Sequence, residues 1–160
     1  MPLIEDHKFQ AIKNVKFLES INMFQSYWDW QVTVCFYSAL HLIHAHLSKH
    51  NIHFEKHKSV LNLLSPFSEE ECKFNQNDFI SYRTLFSLSI RSRYLSNHKE
   101  NDKSANAHLT NEKHFLKALK HLDVLMDFST KELEMKYENK YFITCVGFED
   151  HLFKFFTNKK

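Results

Sequence analysis

Arginine is confined to one short stretch of this chain. The three arginines, Arg83, Arg91 and Arg93, lie within eleven residues, whereas the eighteen lysines are spread along the whole sequence. An ammonium group cannot replace a planar guanidinium where phosphate or carboxylate is held by two parallel hydrogen bonds. The clustering therefore marks residues 81–98 as the segment in which arginine itself is required.

This segment ends in a histidine that helical spacing places near the arginines. On a helical wheel, Arg83, Arg91, Tyr94 and His98 share one face, whereas Arg93 meets His98 only if the helix ends near residues 96–97. A histidine can transfer protons near neutral pH, and an arginine can stabilise charge on phosphorus oxygens. The pattern fits metal-independent cleavage of RNA, with the tyrosine stacking on a base. It equally fits arginines held in intramolecular ion pairs.

A second polar face lies on the strongest predicted helix, where Tyr37, His41 and His44 recur at helical spacing. This face either lies across a cleft from the arginine helix or forms a hydrogen-bonded edge of the core. Zinc pairs are conceivable at His41 and His44 or at His53 and His57. Because H-E-x-x-H is absent and no cysteine sits at ligand spacing, we expect no metal and no cofactor.

Composition predicts an all-α protein. The 160 residues include one Gly and two Pro, too few for the turns of a sheet protein. We therefore expect one helical domain, 1–160, folded as an up-and-down bundle of about five helices. The periodic segments are 5–20, 27–48, 56–65, 78–96 and 111–128, and the fourth carries Phe79, Tyr82, Phe86 and Ile90 as its predicted core face. The aromatic segment 137–160 has no assigned structure at this stage.

The remaining composition indicates a cytoplasmic protein. The three cysteines are isolated from one another, and no run of about 18 apolar residues could span a membrane. The net charge of +2 permits an anionic partner without requiring one.

Three segments resemble the HEPN superfamily of small helical domains: WDWQVTVCFYSALHLIHAHL (28–47), HFEKHKSV (53–60) and YRTLFSLSIRSRY (82–94). The resemblance implies a helical bundle, usually a homodimer. It also implies, in active members, a metal-independent ribonuclease with an R-x4–6-H motif at the subunit interface. Four residues separate Arg93 from His98 and six separate Arg91 from it, so both pairs fit. The family's arginine is often followed by Asn, Asp or His, whereas Ser92 or Tyr94 follows here. Many relatives are non-catalytic binding modules.

The leading hypothesis is an HEPN-like protein that acts on or binds RNA. In its catalytic form, Arg91 or Arg93 stabilises the phosphorane and His98 is the acid/base. The residues expected to contact RNA are Arg83, Tyr94, Tyr37 and His41. The alternative is a non-catalytic helical module that binds a nucleotide or a protein partner or forms a dimer.

Overall fold

The computed structural model describes residues 3–52, 57–94 and 109–158. These residues contain five α-helices, α1 (Ile4–Asn22), α2 (Trp28–Lys49), α3 (His57–Leu64), α4 (Gln76–Tyr94) and α5 (Glu112–Glu132). Two short strands follow, β1 (Tyr141–Ile143) and β2 (Phe156–Asn158), with a 3₁₀-helix at Asp150–Leu152 between them. The all-α bundle expected from the sequence is confirmed.

Helix α2 forms the centre of the bundle. It packs against α1, α4 and α5, and α4 also packs against α5. Between Gln31 and Leu47, every α2 side chain is buried except Tyr37, His41 and His44. A helix surrounded on nearly all sides is largely apolar, and those three side chains mark the side of α2 that the described residues cover least.

The turn between α1 and α2 makes the two helices a hairpin. Gln25 and Tyr27 adopt left-handed backbone angles, with φ of 48° and 56°. Buried Asn22, at the end of α1, donates to the Gln31 side chain at 2.9 Å and so satisfies polar groups inside the hairpin. Among the described residues, no helix has the length and apolar character needed to cross a bilayer.

The core face of α4 includes most of the predicted residues and is broader than predicted. Tyr82 is fully buried, Phe79 and Phe86 are half-buried and pack against the core, and Ile90 is half-buried. The helix also packs through Leu85, Leu88 and small serines, including Ser89 and Ser92. These two serine hydroxyls donate to main-chain carbonyls of their own helix, at 2.8 and 3.0 Å. The hydroxyls of both serines are therefore hydrogen-bonded although they are buried. Hydrophobic periodicity alone does not predict that these serines belong to the core face.

The C-terminal segment, residues 134–158, lies on the bundle as a strand pair. β1 and β2 run parallel, with Tyr141 opposite Phe156. Side chains of the helices bind the main chain of the segment. Asp123 of α5 accepts from the Lys154 and Phe155 amides, and Asn22 of α1 accepts from the Thr144 amide at 2.7 Å. Side chains of the helices thus accept hydrogen bonds from main-chain amides that neighbouring strands would satisfy in a larger sheet.

Candidate functional site at the contact of α2 and α4

The packing of α2 on α4 brings Arg93 against Tyr37. Arg93 Nη1 donates to Tyr37 Oη at 3.4 Å, and its Cζ lies 5.8 Å from the centre of the tyrosine ring. Tyr37 is exposed on α2, and Tyr94, the neighbour of Arg93, is 65% exposed. One guanidinium and two accessible aromatic rings thus converge at this end of α4.

The guanidinium of Arg93 is positioned by neutral groups. Its Nε donates to the Ser89 carbonyl and its Nη2 to the Ser89 hydroxyl, both at 3.2 Å. The rings of Phe36 and Tyr94 lie 5.5 and 5.2 Å from Cζ, within cation–π range. In the described part of the chain, no carboxylate forms an ion pair with Arg93. The charge is therefore fixed in place without being neutralised by those residues.

Three histidines continue the open side of α2 toward α1. His41 lies one helical turn beyond Tyr37, and its Nδ1 is 3.1 Å from Nδ1 of His7 on α1. The His7 ring also stacks on His44, with centroids 5.2 Å apart. One Nδ1 of the His7–His41 pair must donate and the other accept. Burial and the neighbouring charge of His7 lower the pKa of His41, so His41 favours the neutral form.

Arg91 and Arg83 lie at other positions of α4. Arg91 Nη2 donates to the Leu109 carbonyl at 3.4 Å, and the arginine charge helps to lower the pKa of His114 near the start of α5, where burial is the larger cause. Arg83 is exposed on α4, about 12 Å along the helix axis from Arg91. His98 lies outside the described residues, so its position relative to either arginine stays a prediction.

A model of the HEPN domain matches residues 4–133. The chain belongs to the HEPN family. The match begins at the first residue of α1 and ends one residue after α5, so it covers all five helices. Comparisons with curated proteins and with solved structures each gave no match.

The HEPN match covers the helices and ends before the C-terminal segment. Arg93, Tyr37 and the three histidines lie within the HEPN domain, whereas the β1–β2 segment begins after it. The resemblance seen in the sequence is thereby confirmed at the level of the family.

Two further kinds of chemistry would use the histidines and cysteines of this HEPN domain. Among the described residues, no group of three or more His, Cys, Asp or Glu side chains could hold a metal ion. The zinc alternative at His53 falls outside the described residues. Cys35 is fully buried and burial raises its pKa far above the usual range, which keeps the thiol protonated and unreactive.

The sequence suggested that Tyr37 and His41 lie across a cleft from the arginine helix and that Tyr94 lies on its arginine face, but it gave no indication of His7. Nothing in the spacing of α1 marks His7, because its partner is 34 residues away in the sequence. The wheel also assigned Arg91, not Arg93, to the shared arginine face. The structure brings Arg93 to Tyr37 because buried Ser89 and Ser92 turn that side of α4 toward the core.

Proposed function

We propose that this HEPN protein binds RNA at the Arg93–Tyr37 site. The observation that supports it is a guanidinium fixed by neutral groups between accessible Tyr37 and Tyr94 rings. An arginine that is fixed in place and forms no ion pair with a carboxylate of the described residues suits a phosphate, and exposed aromatic rings suit unstacked bases. His41 of α2 and His7 of α1 extend this polar surface and contribute further hydrogen-bonding groups.

We further propose that the bound RNA is cleaved without a metal ion. Arg93 stabilises the charge that develops on the non-bridging oxygens of the attacked phosphate. His98, five residues further along the chain, removes the proton of the 2′-hydroxyl or protonates the leaving oxygen. Arg91 and Arg83, which lie elsewhere on α4, then serve as contacts to neighbouring phosphates.

An incubation of purified protein with mixed RNA in EDTA tests this chemistry. Wild type is compared with Arg93→Ala, His98→Ala and a control, Lys73→Ala, which removes an exposed cation between α3 and α4. We expect cleavage by wild type and Lys73→Ala and none by the other two, all with unchanged melting temperatures. Cleavage by His98→Ala at the wild-type rate would exclude its role as acid/base.

The second candidate function is binding without turnover, as in non-catalytic HEPN modules. The observation that favours it is the packing of Arg93 against aromatic rings. This arrangement suits the stacking of a bound base as well as it suits catalysis. It predicts saturable binding of RNA or a nucleotide that weakens with salt and in Arg93→Ala. RNA that is bound but stays intact would favour this candidate over the nuclease.

We also propose that the protein forms a homodimer, because the family resemblance implies one. The molar mass in solution, measured by light scattering after size-exclusion chromatography, tests this proposal. A mass twice that of the 19.3 kDa chain is the expected result. A monomer at micromolar concentration would contradict it, and a protein partner would then become the alternative.

A further inference from the structure

A trough runs between α1 and the C-terminal segment, and none of the residues of the Arg93 site lines it. Its main cavity has a volume of about 910 Å³. A second cavity of about 390 Å³ shares Glu19, Ser20 and Phe142 with it, so the two form one continuous trough along α1. One wall belongs to the HEPN domain, and the other is built by residues 136–144, which lie beyond the family match.

Two phenylalanine rings are exposed along this trough. Phe9 of α1 is 69% exposed and Phe142 of β1 is 53% exposed. Phe142 faces outward because its neighbours Tyr141 and Ile143 point into the core. The Phe142 amide donates to Glu19 Oε1 at 2.6 Å, which ties the strand to α1. The phenylalanine on the strand is therefore held in place while its side chain remains accessible.

The trough is also lined by cations. Lys16 of α1 lies two turns from Phe9 on the same face, and Lys136 and Lys140 lie on the opposite wall. Lys140 is anchored through a bond from Nζ to the Phe153 carbonyl at 3.1 Å. The acids in the same cavity are Glu19 and Glu138, so three lysines face two carboxylates, one of which already accepts the Phe142 amide.

We infer that this trough is a second RNA-binding site, specific for single strands. Exposed aromatic rings beside lysines are what single-stranded nucleic acid requires, because bases stack on the rings and phosphates meet the cations. A duplex keeps its base faces stacked and cannot use Phe9 or Phe142 in this way. The inference rests on the proposed function, in that it takes RNA as the ligand of this protein.

Fluorescence anisotropy with a labelled single-stranded RNA and a labelled duplex RNA tests the inference. The variants are Phe9→Ser and Phe142→Leu, with Phe142→Tyr to restore a ring. The matched control is Phe67→Ser, at a side chain that is 91% exposed and does not line the trough. Loss of one stacked base weakens single-strand affinity by about 5- to 150-fold. We expect that loss in the first two variants only, with duplex affinity unchanged.

Arg93→Ala, measured beside these variants, separates this inference from the proposed function. If Arg93→Ala weakens binding and the trough variants bind like wild type, the trough inference is overturned and the Arg93 site stands. If only the trough variants weaken binding, the trough stands and the Arg93 site fails. Equal loss in Phe142→Leu and Phe142→Tyr overturns the stacking role, and no binding by wild type overturns both proposals.

Discussion

Arg93 combines a fixed position with a charge that the described residues leave uncompensated. Ser89 provides two acceptors and Tyr37 a third, and none of them carries a charge. The position follows from the sequence only when two facts are combined, the register of α4 and the burial of its serines. Hydrophobic periodicity predicts the register of α4 approximately. It does not predict that the serines are buried, because serine counts as a polar residue wherever it lies.

The Tyr37 hydroxyl should contribute to RNA binding through Arg93. Tyr37→Phe keeps the ring but removes the oxygen that Nη1 donates to at 3.4 Å. We expect RNA affinity to fall by about two- to tenfold, as for the loss of one hydrogen bond of about 0.5–1.5 kcal/mol. Anisotropy with labelled RNA measures it, and an affinity equal to that of wild type would show that the hydroxyl does not position Arg93.

His41 should make the fold sensitive to acid. Burial and the charge of His7 hold its pKa below the usual value in the folded state. As pH falls below about 6.5, the unfolded chain gains a proton there before the folded one does, so the free energy of unfolding decreases. Urea unfolding at several pH values should show a smaller decrease in His41→Gln than in wild type.

The control for this experiment is His151→Gln, since His151 is exposed in the C-terminal segment. It should retain the pH dependence of wild type. A wild-type slope in His41→Gln would contradict the assignment of acid sensitivity to that residue.

At the scale of elements, the helices were predictable and the C-terminal strands were not. The predicted segments 27–48 and 111–128 lie close to α2 (Trp28–Lys49) and α5 (Glu112–Glu132), because each carries a long apolar repeat. The strands are three residues long and fifteen residues apart in register. Their pairing depends on side chains of α1 and α5 that accept hydrogen bonds from the segment. The sequence of the segment itself does not predict such contacts.

Asp123 should be the principal anchor of the C-terminal segment. Its buried carboxylate accepts from the Lys154 amide at 3.0 Å and from the Phe155 amide at 2.8 Å. Asp123→Asn offers one oxygen instead of two, and we expect a loss of about 1–3 kcal/mol in the free energy of unfolding. Urea unfolding measures the loss, and hydrogen exchange should speed up at those two amides.

Asp127→Asn is the matched control on the same helix. Asp127 pairs with Lys131 and Lys154, whose side chains are largely exposed, so the expected loss is below about 1 kcal/mol. An Asp123→Asn variant no less stable than Asp127→Asn would show that the segment is held by its aromatic side chains instead.

At the scale of the whole molecule, the reactivity of the three thiols shows the order in which parts of the structure unfold. Cys35, Cys72 and Cys145 are all buried and free. Burial is the main cause that raises the pKa of Cys145 to about 12, and it raises the pKa of the other two as well. Thiolates are therefore scarce in the folded protein, and a thiol reagent should react only when the structure opens.

Cys145 should be the first of the three to react in mild urea. It lies in the segment that covers the HEPN domain, whereas Cys35 lies at the centre of α2. Partial opening of the segment exposes the first without the second. Mass spectrometry of the labelled protein identifies the site, and simultaneous reaction of Cys35 and Cys145 would indicate that segment and bundle open as one unit.

The affinity of Arg93→Lys for single-stranded RNA tests the central claim most directly. The substitution keeps the charge but removes the planar group that reaches Ser89, Tyr37 and the aromatic rings together. The account predicts binding weakened roughly tenfold, or about 1.4 kcal/mol, at low salt and with the melting temperature unchanged. Binding by Arg93→Lys equal to that of wild type would contradict it, because any positive charge would then suffice at this site.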